Sequence, residues 1–597
     1  MIDGWRRLAG VVVGTGFRAA PWTAIACLVM SLLAAAASVT YSIGFKVMID
    51  GATAQHTEQI VLGAALVAGL LTLSWLLALV SATEGSLLTD KTSLALGVRI
   101  ARLASTLPTL EHLERPELLA RLEQLTQNRR TLAGAPRQLI GLTGQAARAA
   151  GIVALLATIY PPVLIVPVLA LAPALSDRLA GAVQQRADNA LAAARRLLDE
   201  LFGLATSAGE ARELRTYGIT DALAARHAAL AEGVRRRAVR AALVSAGLEA
   251  LGWVVFAAGV VAAIVVLVLQ AADGHVSPGQ VVMAVTLLRR AQTQISRSTD
   301  TAGSLNTSLG AARQLIWLED HGRSLRVTGP RRDVVPGRLK SGIVLDGLRF
   351  AYPGNQDRTV LGPLSLELPA GRAVALVGHN GAGKTTLVKL LSGMYRPSGG
   401  RILIDGIDLA QLDLAPWRAR VTAAFQDFVR FQLRLRESVG VGELARVGDR
   451  DLVRAALAGA GSGQLEAELP DGLETRVGTR FTAGQELSGG QWQRLALARG
   501  LVRPAPLLVV LDEPTASLDA PTEAALFARY ARAARELGAA HGTITLLVSH
   551  RFSTVRTADL IVVLEDGKPI DSGSHEQLIT KGGQYAELFE LQARSYA

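Results

Sequence analysis

The chain has 597 residues, of which 50% are hydrophobic and 19% are charged, and it carries a formal net charge of +11. Its mean hydropathy is +0.30, which at this length predicts several domains, one of them in lipid. The basic charge is not accompanied by a cluster of basic and aromatic residues, so nucleic acid is not expected as a partner. Cys27 is the single cysteine, which excludes a disulfide within the chain and a cysteine-based metal site.

Apolar stretches in roughly the first half of the chain predict six membrane-spanning helices, because a span needs about 20 apolar residues. They are predicted at 20–47, 58–84, 139–160, 161–181, 242–270 and 278–300. Only Pro161 and Pro162 separate the third stretch from the fourth, which indicates a tight turn. Arg289 and Arg290 interrupt the sixth stretch, so it is the weakest of the six.

The loops between these stretches differ in charge. Those after the first, third and fifth contain no lysine or arginine, whereas the N-terminal segment and the long loops after the second and fourth are rich in arginine. This bias predicts that both termini lie in the cytoplasm, as in a multi-pass protein of the bacterial inner (plasma) membrane. The N-terminal arginines and the apolar run after them could also be read as a signal peptide, but an uncleaved first helix is expected because further spans follow.

The two long polar loops, around 108–118 and 210–218, read as helical extensions joined by a short crossing helix. An ordinary solvated helical hairpin is the alternative. After them, the segment 323–342 is rich in proline, glycine and arginine and reads as a linker. Beyond the linker, short β-branched runs alternate with helical patterns, which is typical of a parallel α/β domain.

The strongest motif is G-H-N-G-A-G-K-T-T at 378–386, which fits G-x-x-x-x-G-K-[ST]. A strand-like run at 373–377 precedes it and an apolar helical run follows, so a chance glycine-rich turn is a poor alternative. Backbone N–H groups in such a loop surround phosphate oxygens. Lys384 is predicted to supply a charge to the phosphates and Thr385 a hydroxyl for Mg²⁺. The predicted phosphate-binding residues are Gly378, His379, Asn380, Gly381, Ala382, Gly383, Lys384, Thr385 and Thr386.

A second motif ends a buried apolar run at 507–511 with Asp512 and Glu513. Alone, such a strand is usually structural. Together with the phosphate loop it predicts that Asp512 holds Mg²⁺ and that Glu513 polarises the water that attacks ATP.

Five further motifs accompany these two: the signature at 487–491 and the motifs that contain Tyr352, Gln426, Asp519 and His550. With them, the chain resembles the ABC transporters of exporter type. The sequence L-S-G-G-Q at 487–491 matches the signature of that family and lies between the two motifs above. The resemblance implies that Tyr352 stacks on adenine, that Gln426 acts in catalysis and at the metal, and that His550 is the catalytic switch histidine. It also implies nucleotide contacts from the D-loop residue Asp519 and from the signature residues Ser488, Gly489, Gly490 and Gln491.

The resemblance also implies the architecture: a multidomain protein with an all-α six-helix transmembrane domain followed by an α/β P-loop ABC ATPase domain. The expected bounds are 1–322 for the transmembrane domain with two coupling loops, 323–342 for the linker and 343–597 for the nucleotide-binding domain. A half-transporter of this kind pairs with a second one, as a homodimer or heterodimer, and exports cargo by alternating access. ATP and Mg²⁺ are the implied cofactors, and each ATP lies between the phosphate loop of one subunit and the signature of the other.

The cargo is less constrained. The run R-F-T-A-G-Q-E at 480–486 and the segment 426–432 depart from typical multidrug exporters and look like a subgroup that exports modified peptides or secondary metabolites. A multidrug or lipid flippase is the alternative, and a regulatory ATP-binding membrane subunit is a third reading, against which Glu513 and His550 argue. Arg289 and Arg290 either face the transport pathway, which would favour an anionic cargo, or lie at the cytoplasmic edge of the membrane.

Overall fold

The computed structural model describes residues 2–207, 210–325, 335–355, 358–513, 520–549, 551 and 555–596. The chain divides into two units. The first comprises Met1–Arg102 and Glu123–Trp317, and the second comprises Leu103–Leu122 and Leu318–Ala597. The segment Leu103–Leu122, which lies in the first long loop of the membrane half, therefore belongs to the same unit as the phosphate loop.

The described residues before 325 are almost entirely helical. The helices are Ile2–Val12, Gly14–Ala19, Pro21–Thr53, Thr57–Thr106, Glu111–Glu114, Pro116–Gln127, Arg129–Ile159, Ile165–Leu169, Leu171–Thr206, Ala211–Thr216, Thr220–Ala272 and Pro278–Ser324, with a 3-10 turn at Pro161–Leu164. This turn lies where Pro161 and Pro162 predicted a tight turn.

Five helical stretches among the described residues are long and apolar enough to cross a membrane: Pro21–Thr53, Thr57–Thr106, Arg129–Ile159, Pro161–Thr206 and Thr220–Ala272. They contain the first five predicted spans nearly completely, and they fit a membrane-integral protein. The sixth predicted span lies within the helix Pro278–Ser324, which is not among the five. Arg289 and Arg290 contribute to the low hydropathy of that helix.

Several of these helices are much longer than a bilayer is thick. The helix Thr57–Thr106 has 50 residues and is therefore about 75 Å long, against about 30 Å of hydrocarbon. The polar ends of such helices extend into the two long loops predicted from the sequence. The short helices Glu111–Glu114 and Ala211–Thr216 lie in those loops.

The first unit is held together by closely packed helix pairs. In the pair Leu171–Thr206 and Thr220–Ala272, a Cβ on Gly252 would lie 2.1 Å from Ser176 Oγ, so only glycine permits this approach. Ser245 Oγ donates to the carbonyl of Ala180 at 3.1 Å in the same pair. Between the helices Pro21–Thr53 and Thr57–Thr106, the buried Cys27 places its Sγ 3.6 Å from the carbonyl oxygen of Ser81.

The second unit contains two sheets. Its strands are β1 (Gly342–Ala351), β2 (Thr359–Pro369), β3 (Ala373–Val377), β4 (Gly399–Ile404), β5 (Ile407–Asp408), β6 (Val421–Ala424), β7 (Leu508–Asp512), β8 (Ile544–Val548), β9 (Leu560–Glu565) and β10 (Lys568–Gly573). The antiparallel sheet has the order β2-β1-β4-β5, and the six-stranded sheet has the order β10-β9-β3-β8-β7-β6. In the second sheet β6, β7, β8, β3 and β9 are parallel.

Helices cover the parallel sheet, whose strands β7 and β8 are buried at every position, as expected for parallel strands with both faces covered. The helices of this part are Lys384–Leu391, Leu414–Arg418, Leu435–Gly440, Arg450–Gly459, Leu465–Glu468, Gly489–Leu501, Ala520–His541, His575–Lys581 and Gln584–Tyr596, with 3-10 turns at Leu409–Gln411, Leu444–Arg446 and Gly472–Glu474. Because β3 and β7 are both parallel to β8, their carboxyl ends lie at the same edge of the sheet. The glycine-rich phosphate loop follows β3 at that edge, and the acidic pair Asp512 and Glu513 lies there at the end of β7.

Candidate nucleotide-binding site

The phosphate loop leaves the end of β3 and enters the helix Lys384–Leu391. Its last residue before the helix, Gly383, has a φ of +94°, and a Cβ there would lie 2.5 Å from Leu361 Cδ2. Both the backbone conformation and the close contact require glycine. The loop thus presents its backbone and the helix N-terminus to one cleft, which is an arrangement suited to phosphate.

That cleft has a volume of about 1420 Å³ and is lined by eight residues of the phosphate loop, Gly378, His379, Asn380, Gly381, Gly383, Lys384, Thr385 and Thr386, together with Tyr352, Gln426, Asp512 and Glu513. The structure therefore brings together most of the predicted site residues. Ala382 is the exception within the loop, since its side chain is 5% exposed and lies in the apolar core. Its N–H donates to the carbonyl of His379 at 3.1 Å.

Lys384 lies at the centre of the loop and is 8% exposed. Its ammonium donates to the carbonyls of Gly378 at 2.7 Å and of His379 at 2.9 Å. Burial lowers the pKa of Lys384, while the carboxylates of Glu513 and Asp512 act in the opposite direction. The loop thus holds a cation where phosphate oxygens are predicted to lie.

Asp512 ends β7 and is 2% exposed. Burial, and secondarily the neighbouring Glu513, raise the pKa of Asp512 to about 6, although a hydrogen bond from Thr385 and the charge of Lys384 oppose the shift. The two acids and the Thr385 hydroxyl form a set of hard oxygen donors in which negative charge is only partly compensated.

Glu513 adopts a φ of +46°, which is uncommon for a residue with a Cβ and costs about 1–3 kcal/mol. Two hydrogen bonds support this conformation. The N–H of Glu513 donates to the carbonyl of Val548 at 2.9 Å, and Gln426 Nε2 donates to Glu513 Oε2 at 2.9 Å. The strained turn directs the carboxylate into the cleft, and Gln426 fixes one of its oxygens.

Tyr352 follows β1 and lines the cleft beside the phosphate loop. Its hydroxyl lies 3.1 Å from Thr386 Oγ1. The rings of Phe350 and Tyr395 contact it at centroid distances of 5.0 Å and 5.4 Å. The ring is therefore held in place and is available for stacking on a base.

The signature residues lie elsewhere, at the start of the helix Gly489–Leu501. Ser488 Oγ accepts from the N–H of Gln491 at 3.2 Å, and Gln491 Oε1 accepts from the N–H of Ser488 at 2.8 Å, which makes a capping box. Ser488 and Gly489 are exposed, and Gly490 and Gln491 are half-buried. These four residues are not among those that line the cleft of their own chain.

Two predicted residues, Asp519 and His550, lie outside the described residues. Conversely, the structure adds cleft residues that the motifs did not indicate, among them Asn355, Arg358, Asp566 and Leu588. Each of these is isolated in the sequence, so no spacing pattern identifies it.

The two arginines of the helix Pro278–Ser324 differ in environment. Arg289 is exposed, whereas Arg290 is half-buried on the same helix face as the buried residues Leu287 and Gln294. Arg290 Nε donates to Tyr41 Oη at 2.9 Å, and its guanidinium carbon lies 3.9 Å from the centroid of the Tyr41 ring. The pair predicted from sequence is therefore split between two faces of the helix.

Comparisons with known proteins agree with this architecture. Residues 361–516 match the profile of the family described as ABC transporter. The chain is 32% identical over 381 residues to an ATP-dependent lipid A-core flippase of Chromohalobacter salexigens, covering 64% of this chain and 63% of that protein. The chain is also 34% identical over 381 residues to the ATP-dependent lipid A-core flippase of Chromobacterium violaceum, covering 64% of this chain and 62% of that protein. The chain thus spans less than two thirds of the length of these relatives.

Among solved structures, a bacterial Atm1-family ABC exporter with ATP bound superposes with a TM-score of 0.75 at 24% identity, covering 96% of this chain and 98% of that chain. This likeness concerns the fold, and it extends over both halves of the molecule. The fold class predicted from the sequence, an all-α membrane-type domain followed by an α/β ABC ATPase domain, is confirmed. The chain therefore carries an ATP-binding domain of the ABC transporter family, fused to a helical domain of membrane type.

Proposed function

We propose that this protein is a half-transporter that hydrolyses ATP to export a cargo by alternating access. The observation that carries the proposal is the convergence of Lys384, Asp512 and Glu513 on one cleft at the carboxyl edge of the parallel sheet. A phosphate-binding cation, a pair of acids and an ordered base are the groups that phosphoryl transfer to water requires. The apolar helices in the same chain support transport as the work that hydrolysis drives.

The residues predicted from the motifs receive separate roles in this proposal. Lys384 and the loop N–H groups bind the phosphates, and Tyr352 stacks on the adenine. Glu513 accepts the proton of the attacking water, while Gln426 orients its carboxylate. His550 is proposed as a further catalytic residue and Asp519 as a further nucleotide contact.

The residues present fit Mg²⁺, which the ABC family implies. Asp512 and Thr385 offer oxygen ligands that Mg²⁺ prefers. Burial, and secondarily the charge of Glu513, raise the pKa of Asp512, and a bound cation would oppose that shift by stabilising the carboxylate. We propose that Thr385, Gln426 and Asp512 hold the ion, which when bound neutralises charge on the phosphates. The chain itself supplies the positioning, through the loop backbone and Lys384.

We further propose that two such chains, identical or different, work as a dimer. The support is the helix N-terminus capped by Ser488 and Gln491, where Ser488 and Gly489 are exposed and none of the four signature residues lines the cleft of its own chain. A helix N-terminus attracts anions, so Ser488, Gly489, Gly490 and Gln491 would contact the ATP held by the other subunit.

The topology follows the charge bias of the loops. We propose a transmembrane domain at 1–322, a linker at 323–342 and an ATPase domain at 343–597, with both termini and the ATPase domain on the cytoplasmic side of a bacterial inner membrane.

For the cargo, we propose an amphiphile of lipid type. The relatives described as lipid A-core flippases support this choice over the modified peptide or secondary metabolite suggested by the departures at 480–486, which stays as an alternative. The half-buried Arg290, on the helix that contains the sixth predicted span, supports a cargo with an anionic group, because a charge inside a membrane is costly without a function.

The experiment that tests the function compares ATP hydrolysis by the full chain in lipid nanodiscs with that of Glu513→Gln. The amide keeps the shape of the side chain and removes the base, so we expect ATP binding to persist and turnover to fall by about 100-fold or more. A closed dimer trapped by ATP should accumulate, which size-exclusion chromatography or cross-linking measures.

Glu576→Gln, an exposed position in the same domain, is the matched control and should hydrolyse ATP normally. Hydrolysis by Glu513→Gln at the wild-type rate would remove Glu513 as the base. A wild-type chain that binds ATP and never turns it over, with any amphiphile, would favour the regulatory subunit instead.

A further inference from the structure

The segment Leu103–Leu122 is attached to the ATPase unit by contacts far apart in sequence. The N–H of Leu110 donates to the carbonyl of Met394 at 3.1 Å. The guanidinium of Arg418 donates to the carbonyl of Pro108. The side chains of Thr109 and His112 are buried, at 6% and 2% exposed. The segment is therefore an ordered part of this unit.

Glu114 makes the contacts that point towards the nucleotide cleft. Its Oε1 accepts from Lys389 Nζ at 2.8 Å, and its Oε2 accepts from the hydroxyl of Tyr395. Lys389 lies on the helix that begins at the phosphate loop, and Tyr395 is 5% exposed. Burial alone would lower the pKa of Lys389, but the hydrogen bond from its ammonium to Glu114 helps to raise that pKa.

Both partners of Glu114 also contact Tyr352. The ammonium of Lys389 lies 5.6 Å from the centroid of the Tyr352 ring and 5.9 Å from that of Tyr395. The Tyr352 and Tyr395 rings meet edge to face, at 5.4 Å and 84°. Phe350 contacts both rings, at 5.0 Å and 5.4 Å. A carboxylate on the 103–122 segment thus reaches the cleft-lining ring through two intermediate side chains.

We propose that Glu114 is a positioning residue for the nucleobase. Glu114 fixes the ring of Tyr352 through Lys389 and Tyr395, so binding of the base and attachment of the 103–122 segment to its unit depend on each other. The proposal deepens the proposed function and rests on it, because it takes Tyr352 as the group that stacks on adenine. The helix Thr57–Thr106 runs directly into this segment, so the base, and not only the phosphates, is linked to the helices of the membrane half. Such a link is reciprocal by thermodynamic necessity.

The test is Glu114→Gln in the full chain in nanodiscs. The amide cannot neutralise Lys389, so the ring loses one support and base stacking weakens. We expect the KM for ATP to rise about three- to tenfold while kcat changes by less than about twofold. Competition by inorganic tripolyphosphate, which has no base, should be unchanged, because the phosphate loop is untouched. A disturbed phosphate loop would weaken both ligands.

Two further variants separate positioning from folding. Tyr395→Phe keeps the ring and removes only the hydroxyl that binds Glu114, so it should shift the KM in the same direction by a smaller factor. If Glu114→Gln fails to fold, Tyr395→Phe alone decides. The matched control is Glu117→Gln, the same change three residues away at an exposed side chain paired with Arg115, which should leave the KM unchanged.

A Lys389→Met variant completes a double-mutant cycle. Because Glu114 is expected to act through Lys389, adding Glu114→Gln to Lys389→Met should raise the KM less than it does alone. The proposal would be overturned by an unchanged KM in Glu114→Gln or by additive effects of the two changes in the cycle. It would also be overturned if Glu114→Gln weakened the binding of ATP and of tripolyphosphate equally. A wild-type chain without ATPase activity would refute the proposed function instead, and equilibrium binding of ATP and tripolyphosphate to the same variants would still decide the role of Glu114.

Discussion

Lys384 and Glu513 combine features that a fold alone does not require: a buried cation and a residue with a Cβ at positive φ. Lys384 is almost fully buried, and its ammonium donates to the carbonyls of two loop residues. Glu513 holds a strained backbone conformation and a carboxylate that faces the cleft. Buried charge and backbone strain of this kind reduce the stability of the folded protein, and they are typical of binding and catalytic sites.

Lys384→Ala removes the cation from the loop. We expect ATP affinity to fall by at least about tenfold, since hydrogen bonds to charged groups contribute about 1.5–3 kcal/mol. Equilibrium binding of a fluorescent ATP analogue measures the change. Lys568→Ala, at an exposed position on β10, controls for loss of a lysine in the same unit. Near-normal turnover in Lys384→Ala would contradict the assignment.

Tyr352→Ala would remove the proposed stacking contact with the adenine base. Stacking of a base on an aromatic ring contributes about 1–3 kcal/mol, so we expect ATP affinity to weaken while tripolyphosphate affinity stays the same. Tyr352→Phe keeps the ring and should bind ATP almost as well as the wild type. If ATP affinity is unchanged in Tyr352→Ala, the residue serves packing only.

At the scale of elements, the sequence predicted the features that are encoded by a continuous stretch of residues. The phosphate loop lies between β3 and a helix as its motif required, and the first five spans lie within apolar helices. The lengths of those helices were not predicted, because hydropathy falls where a helix leaves the membrane while its hydrogen bonding continues. The contact between Glu114 and Lys389 was not predicted either, since 275 residues separate the two and neither lies in a motif.

The turn into the phosphate-loop helix yields a prediction at this scale. Gly383→Ala should destabilise the ATPase unit and weaken nucleotide binding, because it combines a positive φ with a clash against Leu361. Gly406→Ala is the matched control: its φ is +82°, but no atom lies within 4 Å of the added Cβ. Chemical unfolding should show a loss for Gly383→Ala that exceeds the loss of about 1–2 kcal/mol expected from the positive φ alone. Equal losses would mean that the contact with Leu361 relaxes freely.

At the scale of the whole molecule, the two units are not consecutive in the chain. The polypeptide leaves the first unit after Arg102, contributes Leu103–Leu122 to the second, and returns before the remaining helices are built. Neither unit is therefore a simple sequence segment, and a truncated ATPase domain beginning near residue 343 would lack Glu114. For this reason, assays of coupling require the full chain.

Arg290 provides a prediction for the helical half of the chain. Arg290→Ala should reduce the stimulation of ATPase activity by anionic amphiphiles while the basal rate stays nearly intact. Arg289→Ala changes the neighbouring exposed arginine and is the matched control, expected to leave both rates unchanged. A panel of anionic and neutral lipids and peptides in nanodiscs measures the effect, and equal loss of basal and stimulated rates would indicate a folding defect instead.

The buried Cys27 has a practical consequence. As the single thiol in 597 residues, it is the one position that needs to change in order to obtain a chain without cysteine. It is 3% exposed, and its weak contact with Ser81 spans 3.6 Å, so Cys27→Ser would disturb little beyond a small apolar site. On that background, one thiol at an exposed position such as Glu117 and another at an exposed position such as Glu576 would carry two spectroscopic probes with no competing label. The separation of the probes could then be followed through a full cycle of ATP use.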